Sequence, residues 1–454
     1  MFFRQVLHQD LGCASYVVGG GGQALVVDPR WEIDVYVEIA RVERLRITHV
    51  LDTHDHADHV SGLKRLAALT GARALRAARP DGDPESHIGA GQEIALGEVR
   101  VRALPTPGHR PEHLALTVTD LSRAEEPWLV LSGDSLLVGD LARPDLAWEA
   151  RAGAAAMHDS LRMLLELGDH VEVWPGHVGG SLCGGAALST KTSSTIGFEG
   201  RHNPLLAMDR AQFVAELARS LPPRPPSVER IVALNRAGAD EPPEVTRLSA
   251  TELRERLQAG VTILDGRSPP EFDAGHLSGA INLPLTSPGL GTRAGWLFGA
   301  EEELLVVAAD AQAAAEMVGA LHAAGHWSLC GYVVADPDAW RAEGLPGARA
   351  EAWDVEQLAL ALERDLVELV DVRDQHEWVS GHVTASRHMP LHRLREAGAL
   401  PDPGRPIAVA CMAGGRAAFA ASVLRRAGTP KVIRVAGGGV PDLATYGITL
   451  APGS

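Results

Sequence analysis

Residues 51–59 read LDTHDHADH, which places three histidines and two aspartates within the seven positions that start at Thr53. No structural role requires so many imidazole rings so close together, so we expect this segment to meet a metal ion. Imidazole and carboxylate ligands suit a borderline divalent metal such as iron, zinc or manganese. The apolar run ITHVLD before the cluster predicts a strand, at whose end the cluster lies.

Three further candidate ligands lie far downstream, and each also follows an apolar, strand-like run. His109 comes after VRVRALPTPG, Asp134 after PWLVLSG and His177 after VEVWPG. Strand ends lie along one edge of a sheet, so loops that leave them converge although they are distant in sequence. The shared placement predicts one metal site that contains His54 together with these three residues. By contrast, the neighbouring His113 is better interpreted as an ordinary polar residue.

The second half of the chain contains an internal repeat. ILDGRSPPEFDAGHLSGAINLPL begins at residue 263, and LVDVRDQHEWVSGHVTASRHMPL begins at residue 369. Six residues recur at one constant offset: Asp265, Arg267, Glu271, Gly275, His276 and Pro284 return as Asp371, Arg373, Glu377, Gly381, His382 and Pro390. Strands alternate with helical segments in each copy, which predicts a parallel sheet flanked by helices and built twice. The paired aspartates and histidines are expected to support turns and loops.

The second copy contains Cys411 in ACMAGGRAAF, a glycine-rich loop that makes a poor core segment. Its backbone N–H groups, Arg416 and the start of the next helix are expected to create positive potential, which raises the thiolate fraction of the cysteine. The first copy reads VVAADAQAAAEM at this place and has no thiol. It is therefore expected to be a structural or docking unit. Cys13 and Cys330 are interpreted as core residues, whereas Cys183 lies in a Gly-, Ser- and Thr-rich loop.

Length and composition limit the number of domains, the kinds of partner and the cell compartment. A chain of 454 residues accommodates about three domains. The net charge of −16 argues against nucleic acid or an anionic membrane as partner, and no apolar run reaches membrane-spanning length. Four widely separated cysteines indicate reduced thiols. With no secretory pattern at the start, we expect a cytoplasmic protein. A Pro-rich connector is predicted over residues 220–248.

The motifs THDHADH, PGH and SGD resemble the metallo-β-lactamase superfamily, whose αββα sandwich holds metals at one edge of two sheets. Within it, HADHVSG, TPGHRPEH and GDSLLVGDLARPDL are most similar to the persulfide dioxygenases, over residues 1–245. The resemblance implies one Fe(II) bound by His54, His109 and Asp134, a facial triad with open positions for O2 and a substrate sulfur. It also implies that Arg143 contacts a substrate carboxylate, although a surface ion pair is nearly as good an interpretation.

Four other residues match metal ligands of the superfamily: His56, Asp58, His59 and His177. If only one iron binds, they are expected to form hydrogen bonds that orient the ligands of that iron. If they bind a second ion, the site holds two zinc ions. Both alternatives stay open at the level of sequence.

The two repeat copies resemble rhodanese domains, which are doubly wound α/β sulfurtransferases with parallel sheets, over residues 248–345 and 350–454. In active rhodaneses a cysteine after the central strand accepts a sulfane sulfur as a persulfide, and Cys411 occupies that place. The whole chain is thus expected to be an α/β multidomain protein with the catalytic residues Cys411 and Arg416 in its last domain.

Together, the resemblances imply a bifunctional enzyme of sulfide and persulfide detoxification. It would oxidise a small-thiol persulfide to sulfite with Fe(II) and O2, and transfer sulfane sulfur through Cys411, making or using thiosulfate. The alternative is a dinuclear zinc thioester hydrolase of the glyoxalase II type with appended rhodanese domains. A purely docking role fits the first repeat copy well and the second badly. The thiol carrier, the direction of transfer and a homo-oligomeric state stay open.

Overall fold

The computed structural model describes residues 1–8, 11–78, 86–179, 184, 188–219, 221, 223–238, 241–287, 289–299, 301–398, 400–401 and 404–453. Contacts divide it into two compact units, Met1–Glu241 with His322–Gly325, and Pro242–Leu321 with His326–Ser454. Within the described residues, none of the helices has the length and apolar character needed to cross a bilayer.

The first unit contains two six-stranded sheets, each with its strands in chain order. One sheet consists of β1 (Phe2–His8), β2 (Cys13–Gly20), β3 (Gln23–Val27), β4 (Arg46–Asp52), β5 (Arg73–Ala77) and β6 (His87–Ile88). The other consists of β7 (Glu93–Leu96), β8 (Val99–Pro105), β9 (Leu114–Asp120), β10 (Leu129–Gly133), β11 (Glu172–Pro175) and β12 (Ser194–Thr195).

Helices cover the outer face of each sheet. They are α1 (Asp34–Glu43), α2 (Leu63–Thr70), α3 (Ala150–Leu165), α4 (Ile196–His202), α5 (Arg210–Leu217) and α6 (Val228–Ala237), with a 3-10 turn at Pro204–Ala207. Side chains alternate along a strand, so Leu25 and Leu131 pack between the sheets, whereas Val26 packs against α1 and α2 and Val130 against α3. The layers are helix, sheet, sheet, helix, which confirms the predicted αββα sandwich.

The predicted ligands follow strands that run in the same direction within their sheets. Strand β4 runs parallel to β3 and β5. Strands β8 and β10 are each antiparallel to β9, and β11 is parallel to β10. Their carboxyl ends at Asp52, Pro105, Gly133 and Pro175 therefore lie at one edge of each sheet, which is where loops carry the candidate ligands.

The first repeat copy has a parallel sheet in the order β15-β13-β16-β17 and a small antiparallel pair, β14-β18. Its strands are β13 (Thr262–Asp265), β14 (His276–Leu277), β15 (Ile281–Asn282), β16 (Leu304–Ala308), β17 (Leu329–Val334) and β18 (Gly347–Ala348). Its helices are α7 (Ala250–Gln258), α8 (Pro269–Ala274), α9 (Leu290–Leu297), α10 (Ala311–Ala323) and α11 (Pro337–Ala342).

The second copy has a parallel sheet in the order β19-β24-β23-β20-β22 and an antiparallel pair, β21-β25. Its strands are β19 (Glu351–Trp353), β20 (Glu368–Asp371), β21 (His382–Val383), β22 (Arg387–His388), β23 (Ile407–Ala410), β24 (Val432–Val435) and β25 (Leu450–Ala451). Its helices are α12 (Val355–Glu363), α13 (Gln375–Ser380), α14 (Leu394–Ala397) and α15 (Gly415–Arg426), with 3-10 turns at Leu391–Arg393 and Val440–Tyr446.

The repeated aspartate and arginine form the same buried ion pair in both copies. Arg267 Nη2 lies 2.6 Å from Asp265 Oδ2 and donates to the carbonyl oxygen of Gly275. Arg373 binds Asp371 and the carbonyl oxygen of Gly381 in the same way. These pairs tie the end of the first strand to the end of the next helix, as the predicted turn-supporting role requires.

The two copies share one apolar core. Residues on one face of each sheet, such as Leu264 and Val306 in the first copy and Val370 and Val409 in the second, belong to a single buried cluster. Residues on the opposite face of each sheet pack against helices of the same copy, and they form a separate cluster in each copy. The parallel sheets with helices on both faces confirm the predicted α/β class.

The predicted connector over residues 220–248 is wrong for its middle part. Helix α6 lies there, and it buries Val228, Ile231, Val232 and Asn235. The Pro pairs on both sides suggested an irregular segment, but the apolar residues between them recur at helical spacing. One face of this helix therefore packs onto the first unit.

Candidate metal centre and thiol loop

Three of the predicted ligands bring unpartnered atoms together in the first unit. Asp134 Oδ2 lies 3.8 Å from His54 Nε2 and 3.4 Å from His109 Nε2. All three atoms are buried, and in the part of the chain that the structure describes none of them has a hydrogen-bond partner. Atoms that bind one ion at about 2.0–2.2 Å lie roughly 3 Å apart, and leaving three buried polar atoms unpaired is costly. The donor set and its spacing therefore fit a single metal ion.

The ring of His54 is oriented by residues that follow the two adjacent strands β3 and β4. Asp28 Oδ2 accepts a 2.9 Å hydrogen bond from the hydroxyl of Thr53, and the oxygen of that hydroxyl lies 2.9 Å from His54 Nδ1. Since the hydroxyl proton goes to Asp28, the ring must donate from Nδ1. The lone pair of His54 Nε2 consequently faces Asp134 and is ready for a metal.

The other two members of the triad are held in the same manner. His109 donates from Nδ1 to the carbonyl oxygen of Arg143 at 2.8 Å, which leaves Nε2 as the free acceptor. Asp134 Oδ1 accepts from His177 Nδ1 at 2.7 Å, and the Asp134 backbone N–H donates to His113 Nε2 at 2.8 Å. His113 was interpreted from sequence as an ordinary polar residue, but here it fixes the position of a candidate ligand.

The environment sets the charge of each triad member. Burial lowers the pKa of His54 well below its usual value, and it also lowers the pKa of His109. Burial alone would raise the pKa of Asp134, but the charge of His177 and its hydrogen bond outweigh this and lower the pKa well below the usual value. Near neutral pH the site therefore offers two neutral imidazoles and one carboxylate, the forms that bind metals.

The remaining predicted ligands form hydrogen bonds to other residues. His56 Nε2 donates to Asp28 Oδ1 at 3.1 Å. His177 Nε2 and the thiol of Cys13 both lie 2.9 Å from Asp58 Oδ2, and His59 Nδ1 lies 3.0 Å from Asp58 Oδ1. Burial would lower the pKa of His59, but Asp58 raises it well above its usual value. This is the orienting arrangement expected beside a single bound ion, although the same groups are close enough to hold a second one.

Besides Asp28, two further residues at this site were missed by reading the sequence. Cys13 is buried as predicted, but its thiol contacts Asp58 and lies 3.3 Å from His177 Nε2. Asn235 on α6 donates to the carbonyl oxygens of His56 and His59 and accepts from Ser61 N. Both lie far in sequence from the HxHxDH segment, so no local pattern identifies them.

Arg143 is placed differently from the predicted substrate contact. Its side chain is almost fully buried, and its guanidinium binds both carboxylate oxygens of Asp145 at 2.7 and 2.8 Å. An arginine whose charge is matched by a nearby carboxylate attracts a further anion weakly. The observed contribution of Arg143 to the site is its carbonyl oxygen, which orients His109.

Replacing Asp28 with asparagine is expected to lower the affinity of the site for a divalent metal ion by about 10- to 100-fold, because Thr53 and His56 lose a charged acceptor that orients His54. Titration of the metal ion against a competing chelator measures the change. Asp209→Asn is the matched control, since Asp209 caps α5. Equal affinities in the wild type and Asp28→Asn would contradict the orienting role.

The predicted thiol loop lies in the second repeat copy. Cys411 directly follows β23 and is buried, and its Sγ accepts a 3.1 Å hydrogen bond from Gly414 N. Gly414 has φ of +93°, which a side chain disfavours, and α15 begins at the next residue. A Cβ on Gly439 would lie 2.1 Å from the carbonyl oxygens of Cys411 and Met412, so that position requires glycine. The loop is thus shaped around the sulfur.

Arg416 contributes less positive potential to this loop than predicted. Its guanidinium lies 2.6 and 2.7 Å from the two oxygens of Glu377 and 2.9 Å from Asp374 Oδ2. Two carboxylates offset its single positive charge. Arg416 therefore joins the start of α15 to α13, and the two carboxylates offset part of the charge with which it acts on Cys411.

The first copy has no sulfur at the equivalent position. Ala309 follows β16 where Cys411 follows β23, and Asp310 Oδ1 accepts from Ala313 N as a cap of α10. Cys330 lies in β17 and is half-buried against the core of this copy. Cys183 lies outside the described residues.

Comparison with known proteins agrees with this architecture. Residues 8–177 match the metallo-beta-lactamase superfamily, and residues 249–343 and 354–442 each match the rhodanese-like domain. The mitochondrial persulfide dioxygenase ETHE1 of Mus musculus is 24% identical over 248 residues, which are 54% of this chain and 91% of that protein. A hydroxyacylglutathione hydrolase of Anaeromyxobacter dehalogenans is 27% identical over 234 residues, which are 46% of this chain and 87% of that protein.

A solved structure extends the similarity further along the chain. The crystal structure of a metallo-beta-lactamase from Staphylococcus aureus subsp. aureus COL has a TM-score of 0.65 and 28% identity, and covers 74% of this chain and 98% of its own. The protein is therefore an enzyme with one metallo-beta-lactamase superfamily domain and two rhodanese-like domains. Its first domain is homologous to persulfide dioxygenases and to hydroxyacylglutathione hydrolases at low identity, and the predicted fusion is confirmed.

Proposed function

We propose that the chain oxidises a small-thiol persulfide to sulfite at His54, His109 and Asp134, and moves sulfane sulfur through Cys411. In the oxidation, R–S–SH, O2 and water give R–SH and sulfurous acid, with O2 as the oxidant of the terminal sulfur. In the transfer, the Cys411 thiolate takes the outer sulfur of thiosulfate and releases sulfite. The reverse direction makes thiosulfate from the sulfite that the first site produces.

The proposed oxidation rests on three buried atoms, one each on His54, His109 and Asp134, that have no hydrogen-bond partner in the described residues. Of the other predicted ligands, Asp58, His59 and His177 are hydrogen-bonded to one another, and His56 is bonded to Asp28 through Nε2 but has a buried Nδ1 without a partner in the described residues. Two histidines and one carboxylate are the ligand set of non-haem iron oxygenases, which retain open positions for O2 and substrate. An iron bound there would supply the Lewis acidity and the electron transfer to O2 that sulfur oxidation requires.

The protein's own residues orient and shield this site. The Asp28–Thr53 pair and the carbonyl of Arg143 keep the ring nitrogens of His54 and His109 aimed at Asp134. His177 donates to the carboxylate of Asp134, and His113 accepts from the backbone N–H of the same residue. All these side chains are buried, so they lose little free energy to reorganisation when substrate binds.

A cavity of about 350 Å³ is the proposed binding place of the thiol carrier. Its wall includes Arg110, Leu146, Arg224, Glu229, Val232 and Arg236, and Arg110 directly follows the candidate ligand His109. Arg110 is paired with Glu112, Arg224 with Glu229 and Arg236 with Asp55. The charges of these guanidinium groups are therefore matched, and they do not select an acidic carrier.

A dinuclear zinc hydrolase is the competing function, and two observations favour it. Asp58 lies close enough to His56 and His59, and separately to Cys13 and His177, for either set to hold an ion. The hydroxyacylglutathione hydrolases are also relatives of the first domain. Metal analysis after anaerobic purification separates the two functions, since one iron per chain is expected for the oxygenase and a zinc pair for the hydrolase. Sulfite formation with O2 consumption from a defined persulfide is expected only of the oxygenase.

A matched pair of variants at neighbouring histidines tests the number of metal ions. His54→Gln is expected to remove bound iron and the oxidation, because it deletes one of three ligands. His56→Gln is expected to retain one iron per chain and lose only about 10-fold in rate, because His56 acts through Asp28. Metal content and initial O2 consumption are the measurements. Loss of one ion of two in either variant would contradict the mononuclear proposal.

A further inference from the structure

Within the described residues, the thiol loop of the second copy (residues 411–416) has no positively charged side chain that is free of an ion pair. The substrates of the proposed transfer, thiosulfate and sulfite, are anions, and so is the thiolate of Cys411. Arg416 is the cation that the sequence places in the loop, but it is bound to Glu377 and Asp374. One positive and two negative groups leave this trio with a net negative charge, which repels an incoming anion.

An arginine of the first copy lies close to this trio. Arg293 is on α9, and within the described residues its guanidinium forms no hydrogen bond or ion pair. Arg416, Cys411 and Asp374 are the charged groups that act on it. Burial and, to a smaller extent, the charge of Arg416 lower the pKa of Arg293 to about 10 against the opposing effect of Cys411 and Asp374. It therefore stays positively charged near neutral pH.

The packing of α9 explains why this arginine faces the second copy. Helix α9 contacts α14 and the 3-10 turn at Leu391–Arg393. Trp296, one helical turn after Arg293, lies with its ring centroid 5.6 Å from that of His392. Residues three apart share a helix face. Leu290 and Ala294 on the same helix are buried in the core that the two copies share, which also contains Cys411.

We propose that Arg293 of the first copy binds the sulfur oxyanion that reacts with Cys411. The active thiol and its anion-binding cation then belong to different repeat copies. The first copy, which has no thiol at the loop position, would be retained because it completes the transfer site, and this refines the structural role expected from its sequence. This inference rests on the proposed sulfur transfer and names the small sulfur oxyanions as the class that the site recognises.

Alkylation of Cys411 tests the anion site without requiring any turnover. Iodoacetate is an anion and iodoacetamide is neutral, so the ratio of their rates at Cys411, followed by peptide mass spectrometry, reports the local potential. In the full-length protein, Arg293→Gln is expected to lower this ratio about 10-fold. Arg293→Lys, which keeps the charge, should restore most of it. Arg341→Gln is the matched control, since Arg341 is exposed and paired with Asp338.

Sulfur transfer supplies the second readout. Arg293→Gln is expected to raise the KM for thiosulfate about 10-fold and to change kcat little, because the group binds the anion and does not react.

An unchanged alkylation ratio together with an unchanged KM would overturn the inference while leaving the transfer proposal intact. If the wild type transfers no sulfur but the alkylation ratio falls in Arg293→Gln, the proposed function fails and the anion site stands. If Arg293→Gln does not fold, competition of sulfate with iodoacetate at Cys411 in the wild type decides, and absence of competition overturns the inference.

Discussion

Replacing Asp134 with asparagine is expected to reduce persulfide-dependent O2 consumption by more than about 100-fold, because an effect larger than that of an orienting residue is expected from a ligand. Asp134 is the only anionic member of the triad, and its Oδ2 faces both His54 Nε2 and His109 Nε2. Asparagine preserves the shape and one oxygen but removes the charge that attracts the metal ion. Metal content per chain and initial rates of O2 consumption measure the effect.

Two controls make this experiment specific. Asp120→Asn removes a carboxylate at the end of β9 in the same sheet, where Asp120 binds Ser122 and the amino group of Met1, and should retain iron. Thiosulfate transfer by Asp134→Asn should equal that of the wild type, because Cys411 lies in the other compact unit. An Asp134→Asn protein with full iron content and full oxidation rate would show that the three unpartnered atoms are not the metal site.

The sequence was sufficient where a local pattern determines position. His54, His109, Asp134 and His177 each follow a strand end, and the carboxyl ends of these strands lie at one edge of each sheet, so their convergence could be inferred from the sequence alone. The repeat offset likewise identified the paired aspartate and arginine residues of the two rhodanese-like copies. The order of the strands determines the first inference and the repeat offset determines the second, so neither depends on the detailed packing of side chains.

The sequence was insufficient where the hydrogen-bond or ion-pair partner of a residue lies on another strand or helix. No motif gives the alignment of two such elements. Asp28 reaches Thr53 and His56 because β3 pairs with β4, and Cys13 reaches Asp58 across 45 positions. Arg416 was expected to be free, but Glu377 on α13 lies opposite it. Such pairings depend on which faces meet after packing, and only the three-dimensional structure supplies that.

Replacing Cys411 with serine is expected to lower thiosulfate sulfurtransferase activity by at least about 1,000-fold, because a hydroxyl is scarcely ionised near neutral pH and cannot accept sulfane sulfur as a persulfide. Serine still offers an oxygen to the N–H of Gly414, which donates to Sγ in the wild type. The loop should therefore keep its shape, and the loss would report the sulfur itself. Cyanide-dependent release of thiocyanate from thiosulfate measures the rate.

The same variant separates the two activities when persulfide is the only sulfur source. Oxidation in Cys411→Ser should proceed at the wild-type rate, but its product should remain sulfite, whereas the wild type should convert part of that sulfite to thiosulfate as it accumulates. Two sites on one chain raise their effective concentration for each other, so mixing Cys411→Ser with Asp134→Asn should yield thiosulfate more slowly than the wild type at equal site concentration. Cys330→Ser is the control, since Cys330 lies half-buried in the copy without the thiol loop. Equal thiosulfate from Cys411→Ser and the wild type would mean that sulfur passes from persulfide to sulfite without Cys411.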